Sequence, residues 1–576
     1  MRARTSRLVA AAVAAGTVGA MAVPMAAGSA TAAEGEPPVR FMPPNTVLSE
    51  ADPADVGLDP GPIDAAVAQV RAHEELPADG GYALYPGAVG LMGYEGRIVA
   101  TDASGDALAY GDEGVPLPAD ERVPMREDTI FDMASVTKLF TSIAVTQLVE
   151  DGLVELDEPV ATYLPAFAAN GKEEVTVRQL LTHTSGFVAW LPLWSRYPDE
   201  ESRIAAVMAQ PLDDPPGTVY RYSDLNLITL GVLVEELRGA PLDEVVADRV
   251  TGPLGMTDTG FNPTEVDRTA ATEYQATPPR GVVRGEVHDE NAWSLGGVAG
   301  HAGIFSTAGD MAVLAQALLN GGAYDGARIL SPQSVRQMVT DFNTEFPGDE
   351  HGLGFELNQR WYMDAMSGPR TAGHTGYTGT SLVVDFEADA FAILLTNRVH
   401  PSRSSGSINV ARREWARGLA YAQGVEPRRG DDAWLSGDAN ATTSTLTAPV
   451  DVPAGGARLG FDLYLDTEST DPLHLESSAD GGDTWTPLPF TVRDRGTATE
   501  WDGVVAGSGT RRWTQARADL PAGEILVRWR ATTDGGYLGR GVLVDGVVAR
   551  GPGGTLLDGE SSPDAFDADG WRLVNR

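Results

Sequence analysis

Ser135, Val136, Thr137 and Lys138 open the segment with the strongest helical pattern in the chain. Residues three apart share a helix face, so Lys138 lies one turn from Ser135 and its amine points at the serine hydroxyl. A hydroxyl is a weak nucleophile until a base takes its proton, and a buried lysine serves once desolvation lowers its pKa. The serine also sits at a helix N-terminus, where unpaired backbone N–H groups and the dipole favour developing negative charge. An N-cap serine followed by a surface lysine gives the same spacing, so these four residues alone leave both readings open. Composition shifts the balance. Lys138 and Lys172 are the only lysines among 42 basic residues, so surface cations here are written as arginine and a retained lysine needs a reason.

Two further groups belong with the pair. Tyr222-Ser223-Asp224 follows a Pro-Pro-Gly-Thr turn and precedes a helical pattern, so a phenol and a carboxylate leave one loop together. His374-Thr375-Gly376 precedes a strand pattern at Ser381, where glycine lets a substrate lie against a sheet edge. In this order and at these separations, Ser-x-x-Lys, Tyr-x-Asp and His-Thr-Gly resemble the penicillin-recognising serine hydrolases: class C β-lactamases, D-alanyl-D-alanine carboxypeptidases and related esterases and amidases. Supporting phrases are Phe131 to Ser135, Leu180 to Gly186 and Gly296 to Gly303, and the likeness spans residues 45–423. It implies that Ser135 is acylated and that Lys138 and Tyr222 share acid and base work. The backbone N–H groups of Ser135 and Tyr377 would form the oxyanion hole, with His374, Thr375, Gly376 and Asp224 toward the substrate. Asp224 stands where many relatives carry Asn and accepts without donating when ionised. His374 stands where β-lactamases carry Lys, and a neutral imidazole holds a carboxylate weakly. Both departures point away from an efficient β-lactamase, toward an esterase, amidase or carboxypeptidase.

The elements that must hold these groups are legible in outline. Apolar runs flank Glu95-Gly96 as a hairpin, and strand patterns return at 381–386 and 390–396. Helical spacing marks 134–153, 177–181, 225–237, 242–249, 311–319, 332–339 and 408–422. Strands at both ends of a helical middle predict an α/β (α+β) β-lactamase-like domain: an antiparallel sheet with an inserted helical lobe, over residues 45–423. A polar stretch, 424–444, reads as a linker, and period-two alternation over 445–576 reads as an all-β sandwich. That sandwich resembles, more weakly, the jelly-roll modules appended to secreted bacterial peptidases. Before the first domain, Arg2, Arg4 and Arg7, an apolar run and Ala30-Thr31-Ala32 mark a cleaved signal peptide over 1–32, and an extended segment fills 33–44. The expected destination is outside the cell, with wall association allowed.

The 576 residues carry Asp+Glu 81 against Lys+Arg 42, a net charge of -39, which disfavours nucleic acid and anionic membranes as partners. Cys 0 excludes disulfides, thiolate nucleophiles and thiolate zinc sites. His183, His288, Asp289 and His301 match no metal-ligand spacing and read as hydrogen-bonding residues near the cleft. Neither a cofactor nor a catalytic metal is expected. Asp480, Asp483, Asp534 and Asp545 are weak calcium candidates, since Asp-Gly is more often a turn. Six of the 11 tryptophans lie from Trp434 onward; core filling is the favoured reading over a sugar-stacking platform. The sequence thus predicts a secreted serine hydrolase acting on a small-molecule or peptidoglycan-derived substrate. Its rivals are a pocket that binds wall peptides without turnover, and a carbohydrate-adhesion protein whose working part is the sandwich.

Overall fold

The computed structural model describes residues 39–78, 80–436, 439–507 and 511–575. The expected signal peptide lies outside the described residues, and none of the helices among them is long and apolar enough to cross a membrane.

Strands β1 (Gly87–Tyr94) and β2 (Arg97–Leu108) form the hairpin around Glu95-Gly96. With β3 (Thr371–Thr375), β4 (Ser381–Asp385) and β5 (Ala390–Thr396) they make one sheet in the order β2-β1-β5-β4-β3. All these pairs are antiparallel; the exception in the sheet is an edge piece, Ser49–Glu50, which runs parallel to the start of β2. The chain therefore begins the sheet, leaves it for more than 200 residues, and returns to close it, as the pattern predicts.

Successive strand residues point to opposite faces, and both faces are covered. Val89, Leu91, Phe391, Ile393 and Leu395 join a core with helices α2 (Thr137–Glu150), α3 (Asp224–Arg238) and α4 (Ala308–Leu319). Ala88, Met92, Val383, Ala392 and Leu394 join another with α1 (Pro60–Ala72) and α5 (Asn409–Gln423). α2 is buried from Thr137 through Leu148, which makes it the central helix of the lobe and fixes whatever projects from its first turn.

The C-terminal residues form two antiparallel sheets. Their main strands are β6 (Thr443–Val452), β7 (Ala457–Asp466), β8 (Leu473–Ser478), β9 (Phe490–Asp494), β10 (Thr514–Leu520), β11 (Gly523–Thr532) and β12 (Gly541–Gly551). One sheet runs β9-β10-β7-β12, the other β8-β11-β6. Inward residues of both meet in one core, with Phe461 edge-on to Trp529 at 5.4 Å between ring centres. Trp529 and Trp571 are buried in it and Trp434 and Trp501 pack against it, so most of the late tryptophans fill the sandwich. The stretch read as a linker is not devoid of structure: Ala433–Leu435 pairs with β12, and β6 starts at Thr443. A three-residue strand has no periodicity to detect.

Candidate active site

Strand Phe131–Asp132 runs into a single 3-10 turn, Ala134–Val136, which passes directly into α2. Ala134 holds φ 46, a left-handed value that costs a β-carbon residue free energy. Asp132 holds the turn: its carboxylate accepts from the Ala134 N–H at 2.8 Å and from the His288 N–H at 2.6 Å. From the other side Thr378 Oγ1 donates to the Asp132 carbonyl at 2.7 Å and Thr380 Oγ1 to the Met133 carbonyl at 3.1 Å. A Cβ on Gly376 would overlap that same carbonyl and Thr380 Oγ1, so glycine is required for the end of β3 to lie beside the turn.

Ser135, raised by this turn, meets Lys138. Lys138 Nζ lies 2.8 Å from Ser135 Oγ, 3.1 Å from the His301 carbonyl and 2.9 Å from Asp224 Oδ1. The amine is 1 % exposed and sits 4.9 Å from the centre of the Tyr222 ring. Three acceptors match the three hydrogens of an ammonium. The expectation that burial would lower the Lys138 pKa is reversed: desolvation does push it down, but the Asp224 carboxylate and the Tyr222 phenol together more than offset this and hold Lys138 above its ordinary value. The Tyr222 hydroxyl interacts with both Ser135 and Lys138; burial raises its pKa, and the neighbouring ammonium opposes that rise.

The phrases around the motifs supply the supports. His183 accepts the Ser223 N–H on Nδ1 at 3.1 Å and lies 4.5 Å, ring to ring, from Tyr222, so it fixes the loop that carries the phenol. Gly300 and Gly231 let the 296–303 loop approach α3, and Thr141 Oγ1 donates to the Gly300 carbonyl at 2.8 Å. That approach brings the His301 carbonyl to Lys138. His301 pairs with Asp289 at 3.0 Å and His288 with Glu273 at 3.0 Å, so three of the histidines weighed as metal ligands have hydrogen-bonding roles around the cleft.

Two substrate-side expectations are corrected. Asp224 was expected to face the substrate and instead pairs with Lys138. His374 is 1 % exposed and donates through Nδ1 to the Thr375 carbonyl at 2.8 Å, and burial drives its pKa down to about 3. Thr375, Gly376 and Tyr377 do line the cleft with Ser135 and Tyr222, in a space of about 720 Å³. Tyr377 is 52 % exposed. The backbone N–H groups of Ser135 and Tyr377 find no acceptor among the described residues. Sequence reasoning missed Arg398 and Arg412, which also line this space. Arg412 Nη2 donates to the Gly376 carbonyl at 2.7 Å and the Thr380 carbonyl at 2.9 Å, bracing the wall beside Ser135.

The calcium candidates do not converge. Asp480 accepts from the Thr484 N–H at 2.9 Å and from Ser478 Oγ at 2.7 Å, and Asp545 from the Arg428 and Arg429 N–H groups at 2.6 and 2.7 Å. Asp483 is exposed, and Asp534 gathers instead with Glu468 and Asp471. Asp480-Gly481 is a turn held by the Asp480 carboxylate, whereas Asp545-Gly546 lies inside strand β12.

The Beta-lactamase family model matches residues 85–417, more than half of the chain. The chain belongs to the beta-lactamase family. Within that family it is similar to an Escherichia coli O157:H7 protein named "Putative D-alanyl-D-alanine carboxypeptidase", 32 % identical over an alignment of 423 positions, with 65 % of this chain and 94 % of that one covered. Among solved structures it is similar to a penicillin-binding protein homolog from Caulobacter crescentus, with 21 % identity, 63 % of this chain and 99 % of that chain covered, and a TM-score of 0.49. Another is "EstCE1, a hydrolase with promiscuous acyltransferase activity", with 24 % identity, 63 % and 99 % coverage and a TM-score of 0.48. This beta-lactamase family member is a serine hydrolase, with a C-terminal β-sandwich that extends beyond the matched residues.

Proposed function

We propose that this protein is a secreted acyl hydrolase that forms an acyl-enzyme on Ser135 and acts on an amide, ester or peptide of cell-wall origin. The observation that carries the reading is the 2.8 Å approach of Lys138 Nζ to a Ser135 hydroxyl that opens on the cleft. Ser135 Oγ attacks the substrate carbonyl carbon, and the Ser135 and Tyr377 amides hold the oxyanion. An ammonium with three acceptors has no lone pair for the serine proton, so the active form is the one in which Lys138 Nζ has given up a proton. The serine proton then passes to Nζ and, through the Tyr222 hydroxyl, to the leaving group. Water delivered to the ester carbon releases the acyl group and restores Ser135.

Support for a wall-derived substrate comes from the carboxypeptidase name of the 32 %-identical relative and from Arg398, a cation lining the cleft and suited to a substrate carboxylate. Support for secretion comes from the arginine-flanked apolar run and Ala30-Thr31-Ala32. The test is intact-mass measurement after incubation with p-nitrophenyl esters, muropeptides and nitrocefin. An acyl adduct on the wild type that is absent from Ser135→Ala is expected. A Ser135→Ala protein that retains turnover, or a wild type that binds muropeptides and never acylates, sinks the proposal.

A further inference from the structure

The outer face of the sandwich sheet β9-β10-β7-β12 carries a feature that the hydrolytic site does not use. Strand alternation sends Leu459 and Phe461, Ala516 and Ala518, and Val547 and Ala549 into the core, so Arg458, Gly460, Arg517, Val548 and Arg550 face outward. Arg458 stands directly opposite Arg550, and Gly460 lies between Arg517 and Val548. Above Gly460 the structure is open: a Cβ there would meet nothing within 4 Å. The result is a furrow of about 830 Å³ with a glycine floor and arginines on its walls.

Charge makes this face unusual. In a chain of net charge -39 an exposed arginine finds a carboxylate easily, yet Arg517 and Arg550 have no ion-pair partner among the described residues. The two carboxylates in the furrow are already engaged. Asp519 pairs with Arg458 at 3.5 Å, and Asp462 with Arg429 at 2.6 Å. Like charges facing each other across a strand pair are unfavourable, so Arg458 opposite Arg550 leaves a repulsion that a bound anion would relieve. The lining also mixes donors with acceptors, since Gln515 and Asp519 sit among the arginines. Such a lining suits a ligand that carries hydroxyl donors as well as anionic groups. Phosphodiester backbones offer acceptors alone. Strands are ~4.8 Å apart, so the arginines of three neighbouring strands span about 10 Å, the reach of two or three sugar units. The lining contains no exposed aromatic ring, so charge and hydrogen bonding rather than stacking would hold the chain.

We propose that this furrow binds a linear polysaccharide bearing carboxylates, of the polyuronate type, with Arg517 and Arg550 taking its carboxylates and the sugar backbone lying over Gly460. This inference stands apart from the hydrolytic reading, because its readout is binding. It is tested with the full chain by calorimetry against polygalacturonate, neutral amylose and inorganic polyphosphate. Expected are binding to polygalacturonate that weakens with salt, no binding to amylose, and weaker binding to polyphosphate. The double variant Arg517→Gln/Arg550→Gln is expected to weaken polygalacturonate binding by roughly tenfold or more, since two charge-assisted contacts are lost. Gly460→Glu, which places a side chain and a negative charge on the furrow floor, is expected to abolish it. Circular-dichroism melts unchanged from wild type in either variant show that the sandwich is intact. No binding of polygalacturonate by the wild type, binding that survives both folded variants, or equal affinity for polyphosphate overturns the proposal.

Discussion

At the scale of single residues, Asp224 decides how the proposed chemistry responds to pH. The free amine is the working form of Lys138, so kcat/KM rises with pH until Lys138 has lost its proton, and Asp224 holds that proton on. Asp224→Asn keeps an oxygen within reach of Nζ and removes the charge. The rising limb of the kcat/KM profile is therefore expected to move to lower pH, by roughly one to three units for loss of an adjacent opposite charge. An unmoved limb in an active Asp224→Asn enzyme would show that the titrating group is not Lys138. The nucleophile, the amine and the phenol were all legible in sequence, because helix spacing and loop signals determine where they emerge. The pairing of Asp224 with Lys138 was not, since it links residues 86 positions apart through the packing of α2 on α3. Nor was the burial of His374, which depends on what covers the end of β3. The second lysine has a structural explanation: Lys172 Nζ donates to the Ala169 and Gln210 carbonyls at 2.6 and 2.8 Å and faces the rings of Phe167 and Phe187. A compact ammonium fits between two carbonyls and two rings where a planar guanidinium would not.

At the scale of elements, the site is a place where three supports converge: the first turn of α2, the loop before α3 and the 296–303 loop. The third reaches Lys138 only through a backbone carbonyl, so its contribution depends on how closely it lies against α3. A Cβ on Gly300 would overlap the Leu227 carbonyl. Gly300→Ala is therefore expected to push the loop outward, draw the His301 carbonyl off Lys138, and lower kcat/KM. The overpacking itself should cost about 1–3 kcal/mol of stability, read from denaturant melts. Wild-type kinetics and stability in Gly300→Ala would mean that the loop relaxes without moving His301. The helices read from periodicity have bounds within three residues of the structure, but the helix Glu200–Ala209 is not among them. The glycine phrase 296–303 stood out in the sequence, yet nothing there indicated which glycine meets a helix and which simply turns. Side-chain pattern carries no record of a backbone carbonyl's target.

At the scale of the molecule, the sandwich is fastened to the hydrolase sheet by arginines inserted into it. Arg511 is 5 % exposed at its side chain and places Nη1 2.6 Å from Asp385 Oδ2, at the end of β4 on a side chain with no exposure. Its Nη2 donates to the Ala365 carbonyl at 3.1 Å and to the Ser367 carbonyl. Arg360 reaches the other way, donating to the Thr467 carbonyl at 2.7 Å, while its neighbours Gln359 and Trp361 line the cleft. The docking surface and the cleft wall are thus one short segment. No motif announces this joint, because its partners are separated by more than 100 residues and use an arginine among 40. Removing one partner of a buried pair leaves the other charged and unsolvated, which typically costs about 3–5 kcal/mol. Arg511→Met is accordingly expected to lower the melting temperature clearly. The double variant with Asp385→Asn is expected to recover much of the loss: the amide keeps the Oδ1 that accepts from the Glu387 and Ala388 N–H groups and no longer carries a charge to strand. Equal losses in the single and double variants would place the anchoring in the surrounding contacts rather than in the ion pair, whereas a wild-type melt in Arg511→Met would mean that the sandwich is held without it.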